Sequence, residues 1–149
     1  MDSYTQRFSE GHHIDAGELH ADSYAVGTYG STWLSMRDYH RLVALIDIGD
    51  MVAGATCRVH LQEATAVDGT GIKDIAGKTT TILAQADGDG NQRIAIELRS
   101  EELDVANNFD FVRAHFTVSN AAVEACVILM RFIPRYAAVG TAQLAELIP

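Results

Sequence analysis

Short segments in which apolar and polar residues alternate make up most of the chain from Ser23 onward. The clearest example is the segment 53–63. Its apolar side holds Ala55, Cys57, Val59 and Leu61, and its polar side holds Thr56, Arg58, His60 and Gln62. Because side chains of a β-strand point alternately to its two faces, this period of two predicts a half-buried strand.

The same kind of pattern predicts further strands on both sides of this segment. They are expected at residues 24–29, 32–36, 41–48, 78–83, 92–99, 111–119 and 125–133. Segment 41–48 is a nearly continuous apolar run, which is typical of a central strand covered on both faces. Segment 125–133 is apolar on both faces as far as Arg131. Glycine- and Asx-rich turns at 68–71, 87–91 and 107–108 separate the runs.

Helical patterns are short. A turn of helix is expected at 35–39 and another at 100–103, where Ser100 precedes two acidic residues. No amphipathic helix of 10–15 residues separates the predicted strands, which indicates an all-β protein, an antiparallel β-sandwich of jelly-roll type. Residues 1–22 form an extended N-terminal arm in this prediction, 23–137 the sandwich domain and 138–149 a C-terminal tail.

Composition excludes several classes of protein. The chain has 149 residues, of which 48% are hydrophobic, and carries a net charge of −9. This is enough for one domain with a core of its own, and no apolar run approaches the length of a membrane span. The acidic balance argues against a nucleic-acid partner. The first twenty residues show no basic-then-apolar secretory pattern, so no signal peptide is expected.

Two groups of polar residues have the composition of a metal site. Asp87, Asp89 and Asn91 occupy alternate places of a loop, as the first oxygen ligands of an EF-hand do. Gln92 and Leu98 then replace the glycine and the glutamate that the motif needs, so a plain Asx/Gly turn is the main interpretation and Ca²⁺ binding the alternative. The second group lies in the arm and consists of His12, His13 and His20 with Asp15 and Glu18, a set of ligands that would suit Zn²⁺ or Ni²⁺. No rigid element frames it, and no metal or other cofactor is predicted.

A catalytic constellation is not predicted. The neighbours Glu101 and Glu102 point apart, and the string of Gly69, Thr70 and Gly71 before Lys73 lacks the spacing of a phosphate loop. His60 and His115 lie on the polar faces of two strands, where solvated histidines are the simplest interpretation.

Cysteines and aromatic residues add little to this picture. Cys57 and Cys126 are expected to be reduced thiols in the core. Tyr24, Tyr29 and Trp33 could form a core corner or a small sugar-binding cluster. Lys73 and Lys78 are the only lysines beside nine arginines, and arginine is the cation enriched in protein–protein contacts.

Four segments in a fixed order carry a resemblance to a known group of proteins. They are GDMVAGATCRVHLQEATAVDGTGIKDIAGKT at 49–79, QRIAIELRSEELDV at 92–105, FDFVRAHFTVSNA at 109–121 and ILMRFIPRY at 128–136. The series resembles small virion accessory proteins of tailed phages, prophages and gene transfer agents, in which "GTGxKDIxGKAxTQL" precedes "IxLRxEELDV". The resemblance covers about residues 34–137.

The resemblance implies a non-enzymatic head decoration protein or the base of a head spike or fibre. Its partners would be the major capsid protein, a head spike or fibre protein, and further copies of the chain as a trimer or pentamer. The place would be the virion, assembled in the host cytoplasm. The matching residues would be structural ones: Gly54, Thr56, Gln62, Ala64, Gly69, Gly71, Asp74, Ile75, Gly77 and Lys78 in one strand and its loop, and Arg99, Glu101, Leu103, Arg113, Arg135 and Tyr136 at strand ends.

Three expectations complete the sequence-based interpretation. The alternative function is a glycan- or Ca²⁺-binding β-sandwich module. Residues 1–22 are expected to dock on a neighbouring subunit or on the capsid. Basic residues on outward strand faces, with acidic residues in the arm and loops, suit contacts between subunits: Arg58, Arg93, Arg99 and Arg113 against Asp2, Glu10, Asp15, Glu18, Asp87, Asp89, Glu101 and Glu102.

Overall fold

Two antiparallel β-sheets pack face to face in the computed structural model, which describes residues 12–15 and 19–135. Sheet I contains β1 (His12–Asp15), β2 (Asp22–Tyr24), β5 (Tyr39–Met51), β9 (Gln92–Arg99) and β11 (Val123–Pro134). Sheet II contains β3 (Gly27–Gly30), β4 (Leu34–Ser35), β6 (Thr56–Ala64), β7 (Lys73–Thr79), β8 (Leu83–Ala84) and β10 (Phe111–Ser119). The predicted tail 138–149 lies outside the described residues.

The order of the strands gives the sandwich its jelly-roll character. Sheet I runs β1-β11-β5-β9, with β2 also on β11, and sheet II runs β3-β10-β6-β7, with β4 on β10 and β8 on β6. The chain passes from sheet I to sheet II between β5 and β6, and returns between β10 and β11. Because β5 pairs with β11 and β6 with β10, one long two-stranded ribbon folds over and contributes to both sheets. The predicted all-β, jelly-roll-like sandwich is confirmed.

The core lies between the sheets and is made of the inward positions that the alternation predicts. In β6 these are Ala55, just before the strand, with Cys57, Val59 and Leu61; in β9 they are Ile94, Ile96 and Leu98; in β10 they are Val112, Ala114, Phe116 and Val118. Phe116 is fully buried, and its ring packs edge-on against that of Tyr24 at a centroid distance of 5.3 Å.

The prediction that strand 41–48 is covered on both faces is wrong. Leu42, Ala44, Ile46 and Ile48 of β5 are fully buried, whereas Val43 and Leu45 on the opposite face are half-buried. The physical reason is that the described residues form two layers. Each sheet therefore has one inner face and one outer face, and an apolar outer side chain has no second layer above it among the described residues.

Three predicted elements differ in their bounds or type. The expected strand 24–29 is two strands, since β2 belongs to sheet I and β3 to sheet II. The expected strand 78–83 is replaced by β7, which ends at Thr79, and the two-residue β8. The chain leaves the ladder at Thr80, whose hydroxyl accepts a hydrogen bond from the Val59 amide. Residues 35–39 form the end of β4, a hydrogen-bonded turn and the start of β5, and no helix.

The loops follow the predicted turn chemistry. Gly88 and Asn108 adopt left-handed backbone conformations after the 3-10 turns Gln85–Asp87 and Val105–Asn107. A third 3-10 turn, Ser100–Glu102, confirms the short helix expected there, although its cap is Arg99, whose amide donates to the Glu102 carboxylate at 2.7 Å. None of the helices in the described ranges is long and apolar enough to cross a bilayer.

The described part of the arm pairs with the chain's own sandwich. β1 adds to the edge of sheet I beside β11, and β2 pairs with the same strand. Leu19, between them, is 2% exposed and belongs to the core. The apolar pattern did not predict β1, because four residues are too few to show a period.

Lys78 ties the two sheets together at one edge of the sandwich. Its Nζ atom, in β7 of sheet II, lies 2.7 Å from the Glu97 carbonyl oxygen and 2.8 Å from a Glu102 carboxylate oxygen, beside sheet I. Both acceptors would lose a charged donor in Lys78→Met. We expect this change to lower the free energy of unfolding by about 1–2 kcal/mol in urea titrations. Arg58→Met, at an exposed cation without an ion pair among the described residues, is the control, and an equal loss in both variants would contradict the assignment.

Candidate functional site

The outer faces of the two sheets differ in chemistry. The outer face of sheet I is apolar along its middle, with Ile14, Val43, Leu45, Ala95, Cys126, Ile128 and Met130. The outer face of sheet II is polar, with Thr28, Thr56, Arg58, His60, Gln62, Asp74, Arg113, His115, Thr117 and Ser119. Among the described residues, the outer face of sheet I is therefore the candidate for permanent contact with another molecule.

The register of sheet I places its outward apolar side chains in rows across the strands. Met130 lies opposite Val43, and Ile128 lies opposite Leu45, which in turn lies opposite Ala95. Ile128 is 37% exposed, although its neighbours in β11 at positions 127 and 129 are buried. The rows form a continuous apolar strip across the centre of this face.

A groove lies at each end of the strip. One groove, of about 590 Å³, has the charged lining residues Arg41, Lys78, Arg99, Glu97 and Glu102. The other, of about 560 Å³, is lined chiefly by Asp22, Asp47, Glu124 and Cys126 with nearby backbone. The strip thus has a groove of mixed charge at one end and an acidic groove at the other.

A hydrogen-bonded network occupies the middle of the outer face of sheet II. Arg113 Nε donates to Gln62 Oε1 at 3.0 Å, and Gln62 Nε2 donates to Asp74 Oδ1 at 2.8 Å. The same carboxylate oxygen lies 3.2 Å from His60 Nε2. His60 is opposite His115 in the β6–β10 ladder, and their ring centroids are 4.7 Å apart. The predicted polar-face histidines are therefore brought together, and His60, at 8% exposed, is not solvated.

The surroundings of both imidazoles disfavour the charged form. Burial lowers the pKa of His60 below its ordinary value, partly offset by the Asp74 carboxylate. Burial and then the neighbouring His60 lower the pKa of His115. The Nδ1 atoms of both rings are buried without a hydrogen-bond partner among the described residues. A second proton on either ring would place a charge in a desolvated site next to Arg58 and Arg113.

This arrangement predicts how stability changes with pH. A histidine whose pKa is lower in the folded state binds fewer protons folded than unfolded, so its contribution to stability is complete above about pH 6.5 and is lost as the pH falls below that value. We expect His115→Gln to flatten the fall in melting temperature between about pH 7 and pH 5.

The control is His40→Gln, because His40 is exposed in β5. Thermal melts followed by circular dichroism at matched ionic strength give the comparison. A pH profile in His115→Gln identical to that of the wild type would contradict the assignment.

The described members of the two predicted ligand groups do not assemble into a metal centre. Asp89 accepts a hydrogen bond from the Ala84 amide at 2.9 Å, and Asn91 donates to Asp50 at 2.9 Å, so both side chains act in the turn. Within residues 12–15 and 19–135, no three or more histidine, cysteine, aspartate or glutamate side chains group in a way that could hold a metal ion.

The histidines of the predicted arm group are also separate from one another. His13 Nε2 lies 3.2 Å from the Asp15 carboxylate, while His20 is exposed. Asp15 is 4% exposed and pairs mainly with Arg131. Glu18 and the His12 side chain lie outside what the structure describes.

The remaining candidates have structural positions. Cys57 and Cys126 are free thiols, but only Cys57 is in the core, where burial raises its pKa to about 11. Cys126 lies on the outer face of sheet I, half-buried, which corrects the expectation of a core residue. Lys73 pairs with Asp104 at 2.6 Å and with Glu63 at 3.4 Å. Glu102 engages Lys78, while Glu101 pairs with Arg99 at 3.6 Å.

The aromatic residues split into two groups. Tyr24 and Tyr29 pack against each other at 4.8 Å and form part of the core with Phe116. Trp33 lies elsewhere: the Arg113 guanidinium stacks on it at 4.7 Å, and Gly69 in its left-handed conformation lies against the ring. A Cβ atom at position 69 would lie 2.9 Å from the indole nitrogen, so the backbone approaches this ring as only glycine allows.

The residues that carry the resemblance occupy structural positions, with corrections to their placement. Gly54, Gly69, Gly71 and Gly77 all have positive φ values. Gln62 and Asp74 belong to the sheet II network. Arg99 ends β9 and Arg135 follows β11, but Arg113 lies in the middle of β10, not at a strand end. Tyr136 lies outside the described residues.

Comparisons with known proteins find likeness at the level of the chain trace only. No protein-family model matches the chain, and no curated protein sequence matches it. Similar solved structures include infectious bursal disease virus, Gx strain (12% identity, TM-score 0.46, 92% of this chain), and the D431N mutant VP2 protein of the same virus in T=1 particles (12%, 0.45, 82%). A structure of broad bean stain virus matches at 11% identity with a TM-score of 0.46, covering 99% of this chain and 97% of that one.

The chain spans 38% and 31% of the two bursal disease virus chains that it matches. All three are structures of viruses or of particles derived from a virus protein. Identities and scores of this size do not assign a function to the chain.

Proposed function

We propose that the chain is a structural, non-catalytic component of a tailed-phage or phage-like particle, bound to the head as a decoration protein or as the base of a head spike or fibre. The observation that carries the proposal is the apolar outer face of sheet I on a sandwich whose other outer face is polar. A rigid sheet that presents Val43, Leu45 and Ile128 outward is built to be covered by another protein.

The motif residues of the resemblance support the same function. The glycines among them adopt positive φ values, Gln62 and Asp74 belong to the sheet II network, and Lys78 links the two sheets. Such structural roles are expected of a protein that acts by binding other proteins. The partners in this proposal are the major capsid protein, a spike or fibre protein, and further copies of the chain. The protein would be assembled in the host cytoplasm and reside in the virion, where repetition of a weak contact over the head makes the total binding strong.

A particle-binding experiment tests the function. Heads of the same phage or gene transfer agent that lack this protein are mixed with the purified chain and sedimented through sucrose. We expect the chain to sediment with these heads in a fixed molar ratio to capsid protein and to remain in the supernatant with heads of an unrelated phage. Binding to neither would overturn the proposal.

The same preparation tests the other class of function. Thermal melts of the free chain with Ca²⁺ and with a panel of glycans are expected to show no stabilisation. A rise in melting temperature with either ligand, combined with no binding to heads, would assign the chain to the ligand-binding modules.

The arm is proposed to contribute to incorporation through residues 1–11, which precede β1. Deleting these residues keeps the paired strand β1 and the core residue Leu19, and circular dichroism checks that the truncated chain is folded. We expect the truncated chain to bind heads more weakly in the sedimentation assay. Unchanged binding would remove the arm from the contact with the particle.

A further inference from the structure

The strip on the outer face of sheet I has its centre at Leu45. Arg41 lies four residues before Leu45 in β5, and Gly49 lies four residues after it. Gly49 is in contact with Glu124 of β11. Arg41 and Glu124 therefore lie on opposite sides of the row that contains Leu45 and Ile128. Each is about 13 Å from this row, because four residues of an extended strand rise by about that distance.

The two ends differ in their charges, since cations occur at one end and the other is acidic. At the first end, Arg41 has no ion pair among the described residues, and Arg99 reaches Glu101 at only 3.6 Å with both side chains exposed. Glu97 also lies at this end, while Lys78 and Glu102 pair with each other.

At the acidic end, Glu124 has no ion pair within the described part of the chain, and Asp22 lies opposite the next residue of β11, Ala125. Asp47 is paired with Arg93 at 3.0 Å, so it adds little to the negative charge of this end. The charges of the face without an ion pair among the described residues are therefore Arg41 and Glu97 at one end, and Glu124 and Asp22 at the other.

We propose that a second copy of the chain packs face to face on this surface, related by a two-fold axis that lies between the two faces at the Leu45 row and runs across the strands. Such an axis reverses the strand direction. Arg41 of each copy then lies opposite Glu124 of the other, and the apolar rows meet in the middle. An axis along the strands would instead place Arg41 against Arg41, which like-charge repulsion disfavours.

The size of the face fits a stable contact. The four strands of the main path of sheet I, β1, β11, β5 and β9, have 4, 12, 13 and 8 residues and together cover roughly 600 Å² at the spacings of a β-sheet. This is the lower end of the area that one partner contributes to a stable protein–protein interface. An apolar centre with charged ends also matches the core-and-rim composition of such interfaces.

A contact between two identical faces is closed by a two-fold axis, so the building unit is a dimer. A trimer or a pentamer, the states considered from the resemblance, would need a contact between two different surfaces. The inference concerns the purified chain alone and does not depend on the proposed role in a particle.

Light scattering after size exclusion tests the dimer. We expect the wild type to elute with twice the chain mass of 16.2 kDa and Ile128→Lys to elute as a monomer with an unchanged circular dichroism spectrum. Ile82→Lys is the matched control, because Ile82 is 65% exposed outside the strands of both sheets, and it should remain dimeric. A monomeric, trimeric or pentameric wild type, or a dimer that survives Ile128→Lys, would overturn the proposal.

Thiol labelling provides a second readout of the same contact. Cys126 lies on the proposed interface, whereas Cys57 is 3% exposed in the core. We expect maleimide to label Cys126 slowly in the wild type and about tenfold faster in Ile128→Lys at the same chain concentration. Equal rates in the two proteins would count against burial of this face.

Charge reversal tests the orientation. Arg41→Glu and Glu124→Arg each place like charges opposite one another in the proposed dimer, and we expect each to raise the dissociation constant about tenfold. The double variant restores opposite charges and should return the constant to near the wild-type value. If the two single effects instead add up in the double variant, so that its dissociation constant is higher than that of either single variant, the two-fold arrangement is overturned.

Discussion

Arg131→Met is expected to destabilise the protein by about 3–5 kcal/mol, because it removes the guanidinium from a buried carboxylate whose remaining partner is the His13 imidazole, at 3.2 Å. Two guanidinium nitrogens of Arg131 contact the Asp15 carboxylate, at 2.6 and 2.9 Å, and a third donates to the Ser35 carbonyl oxygen at 2.8 Å. The guanidinium also lies 4.5 Å from the centre of the Tyr39 ring. Asp15 is 4% exposed, so water cannot replace these contacts.

Urea unfolding at fixed protein concentration measures this effect. The matched control is Arg93→Met, since Arg93 pairs with Asp47 on the surface with both side chains largely exposed, and a loss of at most about 1 kcal/mol is expected there. The double variant Asp15→Asn with Arg131→Met should be less destabilised than Arg131→Met alone, because it removes the buried charge together with its partner. Equal losses in Arg131→Met and Arg93→Met would contradict the assignment.

Phe116→Ala is expected to cost about 3–5 kcal/mol of unfolding free energy. The ring is fully buried at the centre of the sandwich, where Tyr24 from sheet I and Tyr29 from sheet II both contact it. Removing it leaves a cavity that two rigid sheets cannot close, so the lost transfer energy and the lost packing add together.

Phe111→Ala controls for the loss of an aromatic ring from the same strand. Phe111 is half-buried at the beginning of β10, where the Arg37 guanidinium covers its ring. We expect the midpoint of urea unfolding to fall much further in Phe116→Ala than in Phe111→Ala, with little change in the slope of either transition. A similar loss in both variants would show that Phe116 does not organise the core.

The buried pair at Asp15 also bears on the arm. An extended segment with few apolar residues gives no signal for an edge strand, and the pairing of β1 with β11 joins residues 116 positions apart in the chain. The pairing of β1 with β11 depends on the register between two distant segments and on the buried ion pair of Asp15 with Arg131. Neither is visible in the local pattern around His13 or Asp15.

The candidate surfaces were predictable to different degrees. Segment 125–133 is apolar on both sides, and this signal predicts either a second covering layer or a partner surface. Within residues 12–15 and 19–135 the structure favours a face without a covering layer, because these residues form two sheets and the strand lies in one of them. His60 and His115 were each placed on a polar face correctly, but their meeting depends on the antiparallel register of β6 and β10, which pairs position 60 with position 115.

The sequence by itself determined the class of fold, the turns and the inward side chains of β6, β9 and β10. These features follow from the period of two and from glycine and Asx chemistry, which act within a few residues. Tertiary structure alone decided that β1 joins the sheet, that Asp15 meets Arg131, and that the outer face of sheet I carries an apolar strip between opposite charges. Those features depend on which strands become neighbours and in what register, and that choice is made by packing across the whole chain.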